Sequence, residues 1–525
     1  MPAWNLRIGT KHFRARRAPG QGPSLSLFLF LALFLLAGAA APLADALSAR
    51  SLEQRRALRI LHDTAALVEE NYAELPDLRK VYAAGLFGLK NALGKNRFEV
   101  KEQDARRYTL RLGEAEHEVR LGSGSKRDLE SFTQAYLFAL SREGDLRPAG
   151  GDITVMYKAL KGMVRSLDDY STFLTPEDYR NSKTETTGRY GGIGATVSLR
   201  DKKIVIVTPM ENAPAAKAGL LAGDEIVAVD GFRIFGLPLR DSVKRLRGPA
   251  DTKVRLLIDR KSWLDPREFT LTRELILLNS VRSKRLKGVI AYLQITSFQQ
   301  RTAREVNRHL ARFDRETLRG IILDLRNNPG GLLRQSVRVA EQFLPEGSLV
   351  VFTRGRHRDQ FAHFRTQAHG AWHTVPLIVL VNRGSASAAE IVAGALQDLD
   401  RALILGETTF GKGSVQTIIQ LSGGAGLRLT TSKYYTPSGR EIHKKGVRPE
   451  VEMKNPARPG PAPAGRGSPI PKTGEADPQM EVAIRALKEA YGGTLEDLRL
   501  AAIRHRAPYR KGVPKAKVPQ AGTTR

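Results

Sequence analysis

The 525-residue chain contains no cysteine, so neither a disulfide nor a thiolate metal site can form, and a reducing or an oxidising compartment would suit it equally. Aromatic residues are few, at 7%, and do not interleave with basic ones as a base-stacking surface requires. Acids are short as well: 54 Asp and Glu against 84 Lys and Arg leave a net charge of +30. That excess is uneven. Residues 1–24 carry five basic residues and no acid, and the stretch from Ala501 carries seven and no acid. The middle mixes both signs, which argues against specific nucleic-acid binding and leaves an anionic membrane surface or acidic polypeptides as the partners such charge suits. Also missing are G-x-S-x-G, H-E-x-x-H and any Ser/His/Asp ordering among the ten histidines. The 41% apolar content nevertheless rules out a mainly disordered chain.

What is present begins with a secretory layout. Arg7, Lys11, Arg14, Arg16 and Arg17 precede an apolar run over residues 25–41, and small residues follow to Ala44-Asp45-Ala46, an A-x-A cleavage pattern. Residues 1–46 are expected to be a cleaved signal peptide or a retained anchor. Either places the protein in the periplasm or cell envelope, and an uncleaved segment would hold it to the inner membrane.

The length suggests two to four domains. Residues 47–184 read as a helical region, with Leu58, Leu61, Ala65 and Val68 on one face and helical spacing again over 129–140 and 153–167. Within it, residues 95–150 stand out as an insertion. There Phe98/Val100, Tyr108/Leu110/Leu112 and Val119/Leu121 alternate with period two and predict a strand meander. Residues 185–273 form a β-rich unit that opens on Gly191-Gly192-Ile193-Gly194. Residues 274–453 read as α/β: strand runs at 289–293, 321–325, 349–352, 377–381 and 403–405 alternate with helical stretches at 302–313, 332–343 and 388–399, predicting a largely parallel sheet. Residues 454–525 turn to Pro, Gly and Arg, predicting a linker, one short helix at 479–490 and a basic tail.

Ser387 stands where the 377–381 strand gives way to the helix beginning at Ala388. A serine there caps the helix. The same position exposes its hydroxyl above the sheet, and the first helical amides, Ala388 N–H among them, can hold a developing oxyanion. The 321–325 strand runs into Arg326-Asn327-Asn328-Pro329-Gly330-Gly331, whose two glycines let the backbone approach a substrate carbonyl and offer a second donor. Lys412, flanked by Gly411 and Gly413, follows the next strand. To act as a base it must be neutral, and lowering its pKa from about 10.4 by about three units costs roughly 4 kcal/mol. Burial beside Phe410, Val415 and Ile418 is the expected means, with Gln416 orienting the amine.

Taken singly, each feature has a plain alternative: a capping serine, a tight connection, a solvated lysine. Residues 406–412 nearly fit a phosphate-binding loop, but Gly413 stands where Ser or Thr is required and 415–419 is β-rich, which argues against nucleotide binding. His357, His363, His369 and His373 read as a surface cluster, and no metal or cofactor is expected.

The phrase Ala213-Pro214-Ala215-Ala216-Lys217-Ala218-Gly219-Leu220, followed by Gly223-Asp224, resembles the PDZ domains of bacterial proteases. With it, in order, stand Ser166-Leu167-Asp168-Asp169-Tyr170-Ser171-Thr172-Phe173-Leu174, Leu325 through Gly331, Gly384-Ser385-Ala386-Ser387-Ala388, Thr409-Phe410-Gly411-Lys412-Gly413-Ser414-Val415-Gln416 and Tyr434-Tyr435-Thr436-Pro437-Ser438-Gly439-Arg440. From about residue 153 to 453 the chain resembles the carboxyl-terminal processing peptidases, or tail-specific proteases. The resemblance implies a crotonase-like α/β core with an inserted PDZ domain and an N-terminal helical region. It implies Ser387 as nucleophile, Lys412 as general base and Gln416 as the residue positioning the lysine. Gly330 or Gly331 with Ala388 would form the oxyanion hole, and Gly191, Gly192, Ile193 and Gly194 would receive a substrate's C-terminal carboxylate. Polypeptides with unstructured C-termini are the substrates so implied, while a homo-oligomer or an activating partner stays open. The rival from another class is a catalytically idle PDZ scaffold at the cell envelope.

Overall fold

The computed structural model describes residues 52–94, 97–141, 151–454 and 477–509. The expected signal or anchor segment lies outside them, as do the Pro/Gly-rich linker and the last residues of the tail. Among the described residues, no helix is long and apolar enough to cross a membrane.

The N-terminal unit holds α1 (Leu52–Asn71), α2 (Leu78–Leu93), β1 (Glu99–Glu102), β2 (Arg107–Leu112), β3 (Ala115–Arg120), α3 (Ser125–Ala139) and α4 (Gly151–Arg165). The period-two pattern forms the expected antiparallel meander, β1-β2-β3. Its apolar side chains, Phe98, Leu110 and Leu121 among them, are buried in the same core as Leu61, Leu86 and Leu160 of the helices. The segment that stands out in the sequence is thus a layer of the helical unit rather than an appendage.

β4 (Thr172–Leu174) and α5 (Pro176–Thr187) lead into β5 (Arg189–Gly192). β5 pairs antiparallel with β12 (Glu274–Leu277), and through this ladder the chain enters and leaves an inserted β unit. That unit comprises β6 (Ala195–Arg200), β7 (Lys203–Pro209), α6 (Pro214–Lys217), β8 (Glu225–Val229), β9 (Phe232–Arg233), α7 (Leu239–Leu246), β10 (Lys253–Asp259) and β11 (Arg267–Thr272). The strand order β11-β10-β8-β7-β6 leaves β6 at an open edge, and the unit encloses its own core of Ile204, Ile226, Val229, Leu256 and Ile258.

The C-terminal half is organised by a six-stranded sheet. Its order is β13 (Val281–Leu286), β14 (Ile290–Ile295), β15 (Gly320–Asp324), β18 (Leu377–Val381), β19 (Leu403–Gly406) and β22 (Val451–Glu452). All neighbours are parallel except the β13–β14 pair. Alternate side chains divide between two cores. Ile321, Leu323, Val379 and Val381 face α8 (Thr302–Leu310), α9 (Leu333–Ala340) and α10 (Ala388–Asp398). Ile322, Ile378 and Leu380 face α11 (Pro478–Glu489) and α12 (Leu495–Arg506). Cover on both faces is why these strands read as unbroken apolar runs.

Two expectations change. The 349–352 run does not join the parallel sheet. It becomes β16 (Leu349–Arg354) of a second, antiparallel sheet with β17 (Ala362–Arg365), β20 (Ser414–Gln420), β21 (Gly426–Tyr435) and β4. No helix long enough for a crossover separates β16 from β17, so the two pair antiparallel. The tail expected from Ala501 is helical as far as Arg506, because Thr494 and Asp497 cap α12 reciprocally and Leu498, Ala501 and Ala502 bury against the sheet.

Candidate active site

β18 ends at Val381, and a short turn carries the chain to α10. Ser387 occupies the N-cap with φ 54° and ψ −116°, outside the regions an L-residue normally adopts. Holding it there costs about 1–3 kcal/mol. The turn is fixed from several directions. The Ser385 hydroxyl donates to the Leu325 carbonyl (2.7 Å), Ala386 N–H to the Asn328 carbonyl (2.9 Å), and Ser387 N–H to Glu390 Oε2 (2.7 Å).

The Asn-Asn-Pro-Gly-Gly turn after β15 packs directly on this serine. Gly330 has φ +99°, and a Cβ there would sit 2.6 Å from the Ser387 Cβ, so only glycine fits. The two glycines are not equivalent as donors. Gly330 N–H is taken by Asn328 Oδ1 at 2.8 Å, whereas Gly331 N–H and Ala388 N–H find no acceptor among the described residues.

Lys412 stands just before β20, on the other sheet. Its amine lies 4.8 Å from the centre of the Tyr170 ring. Burial, with a lesser push from Arg428, lowers its pKa from the ordinary lysine value, against the pull of Asp168 and Glu390. The surroundings differ from those expected: Phe410 and Ile418 are exposed, and the apolar face belongs to Tyr170. The Ser166–Leu174 phrase supplies that ring. Asp168 accepts from Tyr170 N–H, Ser171 N–H and the Ser171 hydroxyl at 2.7, 2.8 and 2.7 Å, and Ser171 in turn accepts from Thr430 N–H of β21.

Glu390, on the first turn of α10, joins the two halves. Fully buried, its carboxylate accepts from Ser387 N–H (2.7 Å), Lys412 N–H (2.9 Å), Gly411 N–H (2.7 Å) and the Thr409 hydroxyl (2.5 Å). Burial raises its pKa above the ordinary glutamate value, while these four donors pull the other way. Tyr434 of β21 makes a second link: its buried phenol donates to the Lys412 carbonyl and also interacts with the Ser387 side chain. No hydrogen bond joins the Ser387 hydroxyl to the Lys412 amine among the described residues. Gln416 is near in sequence but bonds elsewhere, its amide donating to the Ser414 hydroxyl (2.8 Å) and carbonyl (3.1 Å).

The glycine turn is braced from behind. Arg326, fully buried, donates to Asp324 and to Asp477 at the N-cap of α11, with 2.7 and 2.9 Å from Nη2. Sequence reasoning passed over Glu390, Tyr170, Tyr434 and Asp477. Tyr170 and Tyr434 lie within the motifs named above and Glu390 just beyond one of them, but only the fold gives each its partner.

In the inserted unit, Gly191 and Gly192 belong to β5 and pair with β12, so they are not part of an open loop. Ile193 and Gly194 form the bend into edge strand β6, and their N–H groups have no acceptor among the described residues. The histidine cluster resolves into a His369–His373 ring contact, and no group of three or more metal-ligating side chains occurs among the described residues.

Residues 289–453 match the family model described as peptidase family S41, and residues 205–260 match that of the PDZ domain. The carboxy-terminal-processing protease of Bartonella bacilliformis is 41% identical over 309 residues, 58% of this chain and 71% of that protein. The chain belongs to the carboxy-terminal processing proteases. The Synechocystis carboxyl-terminal-processing protease is similarly related, at 40% identity over 307 residues, 57% of this chain and 71% of the relative. Among solved structures, a photosystem II D1 C-terminal processing protease is 26% identical, with a TM-score of 0.40 over 77% of this chain and 94% of its own. Family membership makes this protein a serine-type peptidase with a PDZ domain in a mixed α/β architecture.

Proposed function

We propose that this protein is an exported serine endopeptidase that cleaves polypeptides near or from their C-terminal tails through a Ser-Lys acyl-enzyme mechanism. One observation carries the reading. The Glu390 carboxylate ties the backbone of Ser387 to that of Lys412, and the lysine so held has its pKa lowered by burial.

The chemistry follows from that arrangement. Rotation of the Ser387 side chain away from Tyr434 brings its hydroxyl to the neutral Lys412 amine. The amine takes the proton as Oγ attacks the scissile carbonyl. The oxyanion forms beside the two unused donors, Gly331 N–H and Ala388 N–H. Collapse breaks the C–N bond and returns the proton from Lys412 to the leaving amine. Water, deprotonated by the same lysine, then clears the acyl group from Ser387. Gln416 acts indirectly, by holding Ser414 at the start of β20.

Recruitment fits the PDZ unit. The Ile193 and Gly194 amides offer donors for a terminal carboxylate, and the open edge of β6 accepts the tail as an added strand. The secretory layout of residues 1–46 supports export.

Cleavage of an unfolded-tail substrate by wild type, Ser387→Ala and Lys412→Ala tests the mechanism. Each variant is expected to lose at least about 10³-fold in kcat. Equal turnover by all three would sink it, and would favour the idle PDZ scaffold if all three were inactive.

A further inference from the structure

A cleft of about 780 Å³ opens among β5, α8 and α9, beside the catalytic turn. Five arginines line it: Arg189, Arg301, Arg304, Arg334 and Arg338. No carboxylate lines it, and among the described residues none of these guanidiniums has an ion pair, a side-chain hydrogen bond or an aromatic contact. Elsewhere Arg260 pairs with Asp224 and Arg326 with two aspartates, while Arg401 is met by three backbone carbonyls. Arg301 is the most telling, because its Nε is shut off from solvent with no acceptor. Leaving such a donor unmet is costly, and an incoming anion would offset that cost. Arg334 and Arg338, one turn apart on α9, project to the same side.

The position of the cleft points to its occupant. Leu332, one residue beyond Gly331, lines it, so its wall continues the turn that packs on Ser387. Arg189 lies four residues before Ile193, on the strand that leads into the PDZ unit. We propose that this cleft is an anion-recognition subsite for Asp- and Glu-rich stretches of the polypeptide substrate. The proposal rests on the protease reading above. Arginine pairs with carboxylates through two parallel N–H···O bonds, which gives the subsite directionality as well as charge. The same field raises the rate at which acidic chains arrive, and salt screens it.

The test uses two peptides that share a C-terminus and a cleavage segment but differ in a flanking triplet, acidic in one and Asn/Gln in the other. Wild type is expected to favour the acidic peptide by roughly tenfold in kcat/KM at low salt. In Arg334→Gln/Arg338→Gln that ratio is expected to fall toward one. Because both rates come from one preparation, the ratio cancels partial loss of folded protein. If the double variant does not fold, Arg304→Gln, at an exposed position, should lower the ratio in the same direction. A wild-type ratio near one, or an undiminished ratio in the variants, would overturn the proposal. Phosphatidylglycerol vesicles bound by wild type but not by the double variant, with a peptide ratio near one, would overturn it in favour of lipid phosphate. Fluorescence anisotropy with Ser387→Ala reads binding of the same peptides without turnover. Preferential binding of the acidic peptide by a protein whose wild type cleaves neither would sink the protease reading and keep the subsite. Equal cleavage of both would sink the subsite alone.

Discussion

Ser387 leaves a parallel strand whose every residue is buried, whereas Lys412 leads into an antiparallel strand that is half open to solvent. The serine is prepared by its backbone: a strained φ, a glycine packed on its Cβ and a carboxylate on its N–H. The lysine is prepared by its surroundings: an aromatic ring, loss of water and a cation that discourages its charge. One half is set by covalent geometry, the other by solvation. The two should therefore fail differently when disturbed, and a change at Glu390, whose carboxylate holds the backbone of each, should disturb both.

Outside the nucleophile and the base themselves, the largest effect is expected at Glu390. Glu390→Gln keeps the shape but replaces one acceptor oxygen with a donor facing N–H groups. Activity should fall by at least about 10²-fold, with stability down by about 3 kcal/mol, the scale of breaking a buried charged network. Paired kinetics and denaturant unfolding would check this, and loss of stability without loss of activity would separate the two halves. Asp477→Ala comes next. It strips a partner from a fully buried arginine behind the glycine turn and should cost about 3 kcal/mol, read as a fall in Cm. The effect of Lys412→Met is smaller and opposite in sign. A lysine whose folded pKa is lowered destabilises the protein fully at low pH, and that penalty fades as pH rises from its folded value to its unfolded one. Lys412→Met should therefore raise Tm near pH 6, and its advantage should shrink towards pH 10. A constant difference across that range would mean the amine is not desolvated.

The same contrast explains what the sequence made legible. Ser387 is local information: an apolar run of strand length, a small-residue turn and a helix start lie within about a dozen positions, and the 377–381 strand forms with the expected bounds. The meander over Phe98–Leu121 was likewise visible, because period-two burial is a local signal. The environment of Lys412 was not, since Tyr170 arrives from a distant segment pinned by Asp168. Neighbouring Phe410 and Ile418, favoured by proximity in sequence, turn out to solvent. The same limit hid the departure of β16 to the second sheet, which depends on how its neighbours pair rather than on its own residues. α12 was a different miss, its Thr494/Asp497 cap being present in the sequence but masked by the basic residues around it.

The pH dependence of kcat/KM on an unfolded-tail peptide tests the central claim most directly. A base must be neutral, so activity should rise with pH through a single lysine ionisation below its ordinary value, and Tyr170→Ala, by rehydrating the amine, should move that rise upward. Activity flat from about pH 5 to 9, or a rise unmoved by Tyr170→Ala, would contradict a lysine base made neutral by burial.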